Sequence, residues 1–305
     1  GSGRSIARRH YRPRQRGLGM SERWFRERLH GGFEQGLRID RLIHQGRTEF
    51  QSVMVIENEA LGRVLILDGI VQTTEADEFV YHEMLAHVPL FAIEAPSEVL
   101  IIGGGDGGCL EEVLKHPIER ATMIELDAGV VALAREHLSK ICGGAFDDPR
   151  TELRFEDGAR FVAETERRFD AIIIDSTDPQ GPGEVLFSRE FYADCRRRLT
   201  ERGILVTQNG VPFFQAAEFA GSRASFQKLF RYPRFYFAAV PTYVGGVMAF
   251  GCASDGSDAA AVDPGALASR FKAAGFATRY YDPAVHLAAF AAPPYLDDMT
   301  PPTEV

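Results

Sequence analysis

Two carboxylates delivered to one strand end raise the first chemical question. In "DAIIIDSTDPQGPGE", residues 170–184, the apolar run Ala171–Ile174 reads as a buried strand that ends in Asp175, with Asp178 three residues later. Pro179, Gly181, Pro182 and Gly183 then form a loop that is stiff yet hinged. Such a pair can hold a divalent cation, but Mg²⁺ or Ca²⁺ wants several oxygens, and no dedicated cage accompanies it. It can also be a solvated turn. A third use is an amine. An alkylamine has a pKa of about 10, is mostly protonated at pH 7, and becomes a nucleophile only after a base takes a proton. One carboxylate can be that base while the other anchors a distant ammonium.

The upstream strand ends favour the amine. Gly103, Gly105 and Gly108 of "IIGGGDGG" satisfy G-x-G-x-x-G between a strand and a helix, where backbone can approach a ligand at a helix N-terminus. Glu125 ends the next strand, placed to accept hydrogen bonds from ribose hydroxyls. Asp157-Gly158 ends the third, where Asp157 can take an adenine amino group. This is a methyltransferase-like nucleoside site; a dinucleotide fold needs a second phosphate-binding half, and none is visible. Asp106 lies inside the glycine loop. Intact S-adenosylmethionine would bring a carboxylate against it, so a cofactor lacking that carboxylate suits the loop better. The plainer alternative is that Asp106 only caps the following helix.

"HEMLAH" has one residue too many for the zinc motif H-E-x-x-H. An i, i+5 pair lies about 140° apart on a helix, so His82 and His87 cannot share a metal. His82 reads as a hydrogen-bonding pocket residue and His87 as structural, and no metal is expected.

Strands and helices alternate from Glu98 onward, with continuous apolar strands. That pattern predicts a parallel sheet covered on both faces, with the ligand beyond the strands' carboxyl ends. Residues 38–74 instead alternate and turn, with Asp68-Gly69 a strong hairpin signal, and read as about four antiparallel strands. Phe79, Met84, Val88 and Phe91 suit an amphipathic helix whose other face carries Tyr81 and His82. Segment 254–265 reads as a loop. The expected fold is α/β: a methyltransferase-like Rossmann fold, mostly parallel and doubly wound, with a small N-terminal antiparallel β domain. Its expected organisation is a disordered tail and lead-in over 1–35, a β-strand domain over 36–74, and a catalytic domain over 75–305. Gly1–Gly3 read as a cloning remnant and Met20 as a natural start.

Composition sets outer limits. Among the 305 residues, a net charge of -9 argues against bulk nucleic-acid binding. No apolar run approaches the roughly 20 residues that span a bilayer, so no membrane partner is expected. Cys109, Cys142, Cys195 and Cys252 are widely spaced and read as small buried hydrophobes in a reducing, cytoplasmic compartment.

Taken together, "EFQSVMV", "LILDGIVQTTEADEFVYHEML", "VLIIGGGDGG", "FDDPR", "EDGARF", "IIIDSTDPQGP", "LFSREFY" and "VPTY" resemble the spermidine synthase family of polyamine aminopropyltransferases, in family order from about residue 36 to 290. The resemblance implies transfer of the aminopropyl group of decarboxylated S-adenosylmethionine to an amine, releasing methylthioadenosine. It implies Asp175 as proton acceptor, and Gln51, Glu125, Asp157, Gly158 and Pro182 as methylthioadenosine contacts. His82 and Asp106 would meet the aminopropyl region, and Tyr81, Asp178, Gln208 and Tyr243 the acceptor amine. It also implies a homodimer or homotetramer, with no prosthetic group. Two departures border the acceptor pocket: Gly210 stands where the family often has Glu, and Val244 where it often has Pro. Putrescine is the expected acceptor, with cadaverine, agmatine or a longer polyamine as alternatives. The rival readings are an amine N-methyltransferase and a silent polyamine- or nucleoside-binding protein. Asp106 argues against the first. Asp175 beside Tyr81 argues against the second.

Overall fold

The structure, a computed structural model, describes residues 23–178 and 181–300. It opens with a two-stranded antiparallel ribbon, Trp24–Glu27 (β1) and Gln35–Arg38 (β2). The expected lead-in is therefore corrected: residues 24–27 and residue 35 are paired strand. A four-residue strand is too short to show a period-2 pattern. Tertiary contacts hold it. The buried Glu27 carboxylate accepts from the Val71 backbone N–H at 2.9 Å and from the Gln35 side-chain amide.

Arg41–Arg47 (β3), Ser52–Asn58 (β4), Gly62–Leu67 (β5) and Ile70–Thr74 (β6) follow as a four-stranded antiparallel sheet in chain order. Asp68 and Gly69 both have positive φ, 46° and 81°, the geometry that a two-residue type I′ hairpin requires.

The main sheet is built from Glu98–Gly103 (β7), Arg120–Glu125 (β8), Thr151–Phe155 (β9), Phe169–Asp175 (β10), Leu199–Gln208 (β11), Tyr232–Ala238 (β12) and Met248–Ser254 (β13). Their order is β12-β13-β11-β10-β7-β8-β9. The five from β7 to β11 run parallel, and β13 and β12 add antiparallel at one edge. The inner strands β7, β8, β10 and β13 are buried on both faces, which is why they read as nearly unbroken apolar runs. In β7, Val99 and Ile101 join one core with Met84, Leu85 and Val88, while Leu100 and Ile102 join another with Phe161, Phe191 and Phe226.

The helices are Glu78–Ala92 (α1), Gly108–Leu114 (α2), Ala128–His137 (α3), Ser139–Cys142 (α4), Gly158–Glu164 (α5), Arg189–Arg198 (α6), Ala216–Leu229 (α7), Pro264–Ala274 (α8) and Pro283–Ala289 (α9). Helix α1 departs from the amphipathic expectation. Every residue from Val80 to Ala92 is buried, because α1 is enclosed by the sheet, α2 and α8. The expected loop over 254–265 gives way to helix at its end, where Asp263 caps α8 and Pro264 takes the first helical position. All four cysteines are free and buried. No helix among the described residues is long and apolar enough to cross a membrane.

The chain order reverses between β7 and β10, which lie side by side with Gly103 opposite Asp175. In an open parallel sheet this is where a ligand crevice forms.

Candidate active site

At the switch point the glycine loop and the end of β10 are in direct contact. The Gly104 N–H donates to the Asp175 carbonyl at 2.8 Å. A Cβ on Gly103 would lie 2.2 Å from that carbonyl oxygen, at a φ of +84°, so only glycine fits. This close crossing brings Asp175 and Asp106 into one crevice, and α1 inserts Tyr81 and His82 from behind.

Asp175 is held on one side only. Its Oδ1 accepts from the Tyr81 hydroxyl at 2.7 Å, while Oδ2 is buried with no hydrogen-bond partner among the described residues. Burial, then the nearby Asp106 charge, pushes the carboxyl up to about 6, against the lowering effects of His82 and Tyr81. Burial and the Asp175 charge hold the Tyr81 phenol well above its ordinary value, so it stays a donor.

His82 is buried between two carboxylates. Its Nδ1 meets Glu78 Oε2 at 2.8 Å and its Nε2 lies 3.4 Å from Asp106 Oδ2. Burial alone disfavours the cation, but Asp106 and Glu78 outweigh it and hold the ring well above its usual pKa, as imidazolium. Burial likewise raises Asp106, and the His82 charge outweighs it, leaving Asp106 below the usual carboxylate range. Asp106 also accepts from the N–H of Gly108, the first residue of α2, at 3.0 Å through Oδ1, while facing the crevice.

One ligating atom from each of His82, Asp106 and Asp175 falls within 4.8 Å of the others, a spacing that a metal ion can use. His82 already engages Glu78 through Nδ1, and two carboxylates alone make a poor Mg²⁺ or Ca²⁺ site. A ligand ammonium, with three donors, suits them.

Two cavities adjoin here. The larger, about 260 Å³, is lined by Gln51, His82, Asp106, Glu125, Asp157, Gly158 and Asp175. The smaller, about 130 Å³, is lined by Asp178 and Gln208. Tyr81 and Tyr243 line both and mark the junction. The structure thus brings together every residue singled out from the sequence except Pro182, whose side chain lies outside the described part.

Several of them carry additional structural bonds. Gln51 donates through Nε2 to Asp127 Oδ2 at 2.9 Å, tying the N-terminal sheet to the cap of α3. Asp157 caps α5 through Oδ1, accepting from Ala159 and Arg160. Gln208 is engaged at both ends of its amide: Nε2 donates to the Ser176 and Thr177 carbonyls at 3.0 and 3.2 Å, and Oε1 accepts from Gly210. It fastens the loop that carries Asp178. Tyr243 donates its hydroxyl to the Gln72 carbonyl and stands edge-on to Tyr81 at 5.8 Å. Glu125 accepts from the Asp127 N–H at 2.8 Å, yet burial pushes its carboxyl up to about 7. Burial also raises Asp178, against Gln215, His30 and Gln208.

Sequence reasoning missed three residues that hold this frame. Asp127 was legible as an N-cap before "AGVV". Asp77, which accepts from Thr74 and twice from Thr242, gave no such signal, nor did Glu27, which lines the smaller cavity with Asp68 and Asp178.

A family model described as the spermine/spermidine synthase domain matches residues 78–262, and one described as the spermidine synthase tetramerisation domain matches residues 23–75. The chain belongs to the spermidine synthase family. It is an aminopropyltransferase by that membership. Its relatives include the polyamine aminopropyltransferase of Ruegeria sp. (strain TM1040), 53% identical over 92% of this chain and 99% of that protein. Another is polyamine aminopropyltransferase 1 of Pseudomonas aeruginosa, 54% identical over 89% of this chain and 96% of that one. Among solved family members, a spermidine synthase in complex with the transition-state analogue AdoDATO superposes with a TM-score of 0.87 at 39% identity, covering 93% of this chain and 97% of that one. The Thermotoga maritima spermidine synthase gives 0.85 at 37%, covering 93% and 96%.

Proposed function

We propose that this enzyme transfers the aminopropyl group of decarboxylated S-adenosylmethionine to a diamine, putrescine first, with Asp175 as general base. The observation that carries this reading is the one-sided Asp175, with Oδ1 fixed by Tyr81 and Oδ2 left for a proton. The nucleoside occupies the larger cavity, with Gln51, Glu125, Asp157 and Gly158 around it; the family resemblance adds Pro182 to these contacts. The aminopropyl ammonium lies against Asp106 beside His82. The acceptor enters the smaller cavity along Tyr81, Asp178, Gln208 and Tyr243. Oδ2 of Asp175 takes a proton from the near ammonium. The freed nitrogen pair attacks the methylene carbon next to the sulfonium. The carbon–sulfur bond breaks, and its electron pair returns to sulfur. The products are methylthioadenosine and the aminopropylated amine, spermidine from putrescine, and the proton leaves from Asp175 to water. Raising the carboxyl from 3.8 to about 6 narrows its mismatch with an ammonium of about 10 and strengthens it as a base while leaving it ionised at neutral pH.

The match of residues 23–75 to a tetramerisation domain supports a homo-oligomer. Incubation with either decarboxylated or intact S-adenosylmethionine and a panel of amines, followed by mass analysis, tests the assignment. Spermidine and methylthioadenosine are the expected products. A methylated amine would favour the methyltransferase reading.

A further inference from the structure

We propose that His30, stacked on Phe214, is the end wall of the acceptor cavity and sets the length of the amine that fits. This deepens the reading of the smaller cavity as the amine site and rests on it. The lining gives a direction. Asp175 belongs only to the larger cavity, Tyr81 and Tyr243 to both, and Asp178, Gln215 and His30 only to the smaller. A diamine whose near nitrogen meets Asp175 therefore runs past the two tyrosines and brings its far nitrogen toward Asp178 and His30.

The wall is a side-chain contact between two separate segments. His30 follows β1 in the ribbon loop, and its ring lies on Phe214 at 4.4 Å with 21° between planes. Phe33 rests on the same Phe214 ring at 5.3 Å. The neighbouring Phe213 is 65% exposed, so solvent lies close behind this contact. The opposite side offers no slack. Gly210 has a φ of +62°, and a Cβ there would lie 2.4 Å from Gln215 Oε1, so the Gln215 amide already occupies the space that a side chain at 210 would take. The imidazole is thus the part of the boundary whose removal lengthens the cavity. Burial holds His30 below its ordinary pKa. A neutral ring can accept from a far ammonium without repelling it, while its volume stops a longer chain.

The test is kcat/KM for putrescine, cadaverine and spermidine with decarboxylated S-adenosylmethionine, in wild type, His30→Ala and His30→Phe. One methylene in a shaped pocket discriminates by about tenfold or more. His30→Ala is expected to raise the spermidine-to-putrescine and cadaverine-to-putrescine ratios by about tenfold. His30→Phe, which keeps the bulk, is expected to leave both ratios near wild type. Phe214→Ala, which removes the backing of the ring, is expected to shift them the same way as His30→Ala and serves if that variant does not fold. Ratios unchanged in both alanine variants would overturn the end wall while leaving the amine site standing. A wild type that aminopropylates none of the three would overturn the amine-site reading and the wall with it.

Discussion

Asp106 and Glu125 carry the sharpest consequences at the scale of single residues. Asp106 faces the crevice next to His82, and the imidazolium offsets only part of the negative charge of Glu78, Asp106 and Asp175. An intact S-adenosylmethionine carboxylate about 4 Å away, at an effective dielectric of about 20, meets a repulsion of roughly 4 kcal/mol from one such charge. With the His82 offset, about 2 kcal/mol of discrimination is expected, or about 30-fold in affinity. Asp106→Asn should weaken the decarboxylated substrate and narrow its lead over the intact one, and calorimetric titration of both into both proteins measures that gap. Glu125 gives a proton linkage. Burial pushes its carboxyl up to about 7, and ribose hydroxyls donating to it would favour the charged form. Methylthioadenosine binding should therefore release protons near pH 7 and tighten as pH rises through that value. Calorimetry in buffers of different ionisation enthalpy reads the release, and Glu125→Gln should abolish it.

Elements, rather than single residues, fix where Tyr243 and the smaller cavity lie. Asp77, at the start of α1, accepts from the Thr242 N–H at 2.8 Å and its hydroxyl at 2.7 Å, and from Thr74 at 2.6 Å. The ribbon reaches the same loop through Gln35, which donates to the Thr242 carbonyl. Asp77→Ala should raise the acceptor KM by about tenfold with little change in that of the sulfonium substrate, since charge-assisted bonds of roughly 1.5–3 kcal/mol are lost on that side alone. Asp77→Asn should recover part of the effect, and steady-state kinetics with each substrate varied separates the two. The glycine loop, Glu125, Asp157 and Asp175 were legible because a parallel strand announces itself by an apolar run and its carboxyl end is where ligands sit. The Asp68-Gly69 turn was legible for its backbone chemistry. The ribbon carrying Glu27 and His30 was not, since four-residue strands show no period, and neither was the all-round burial of α1, which depends on α8 arriving from far along the chain. Gln208 was legible as a polar residue at a strand end. Its task of holding the Ser176–Thr177 backbone depends on a loop path that the sequence does not specify.

Across the whole molecule, the C-terminal part is fastened to α1 by buried polar groups. The Glu83 carboxylate accepts from the Arg279, Tyr280 and Tyr281 backbone N–H groups at 2.7–2.8 Å. Nearby, His87 and His116 share a 2.9 Å hydrogen bond inside an aromatic cluster with Phe91, Phe276 and Tyr281. Burial pushes His87 down to about 3 and His116 well below its usual value. The folded state thus refuses protons that the unfolded chain binds below about pH 6.5. Stability from this source is complete above pH 6.5 and falls as pH drops toward 3, by about 1.4 kcal/mol per pH unit for each such histidine. Carboxyls raised by burial, such as Glu125, pull the other way, gaining stability as pH falls through 7. His87→Leu isolates the histidine contribution: its urea midpoint should fall less steeply than that of wild type between pH 6.5 and 5.

Single-turnover transfer in Asp175→Asn, measured beside methylthioadenosine affinity in the same variant, decides whether Asp175 is the base between the two cavities. If it is, the rate falls by about 10²- to 10⁴-fold with nucleoside affinity retained. Near-normal turnover in Asp175→Asn would contradict it.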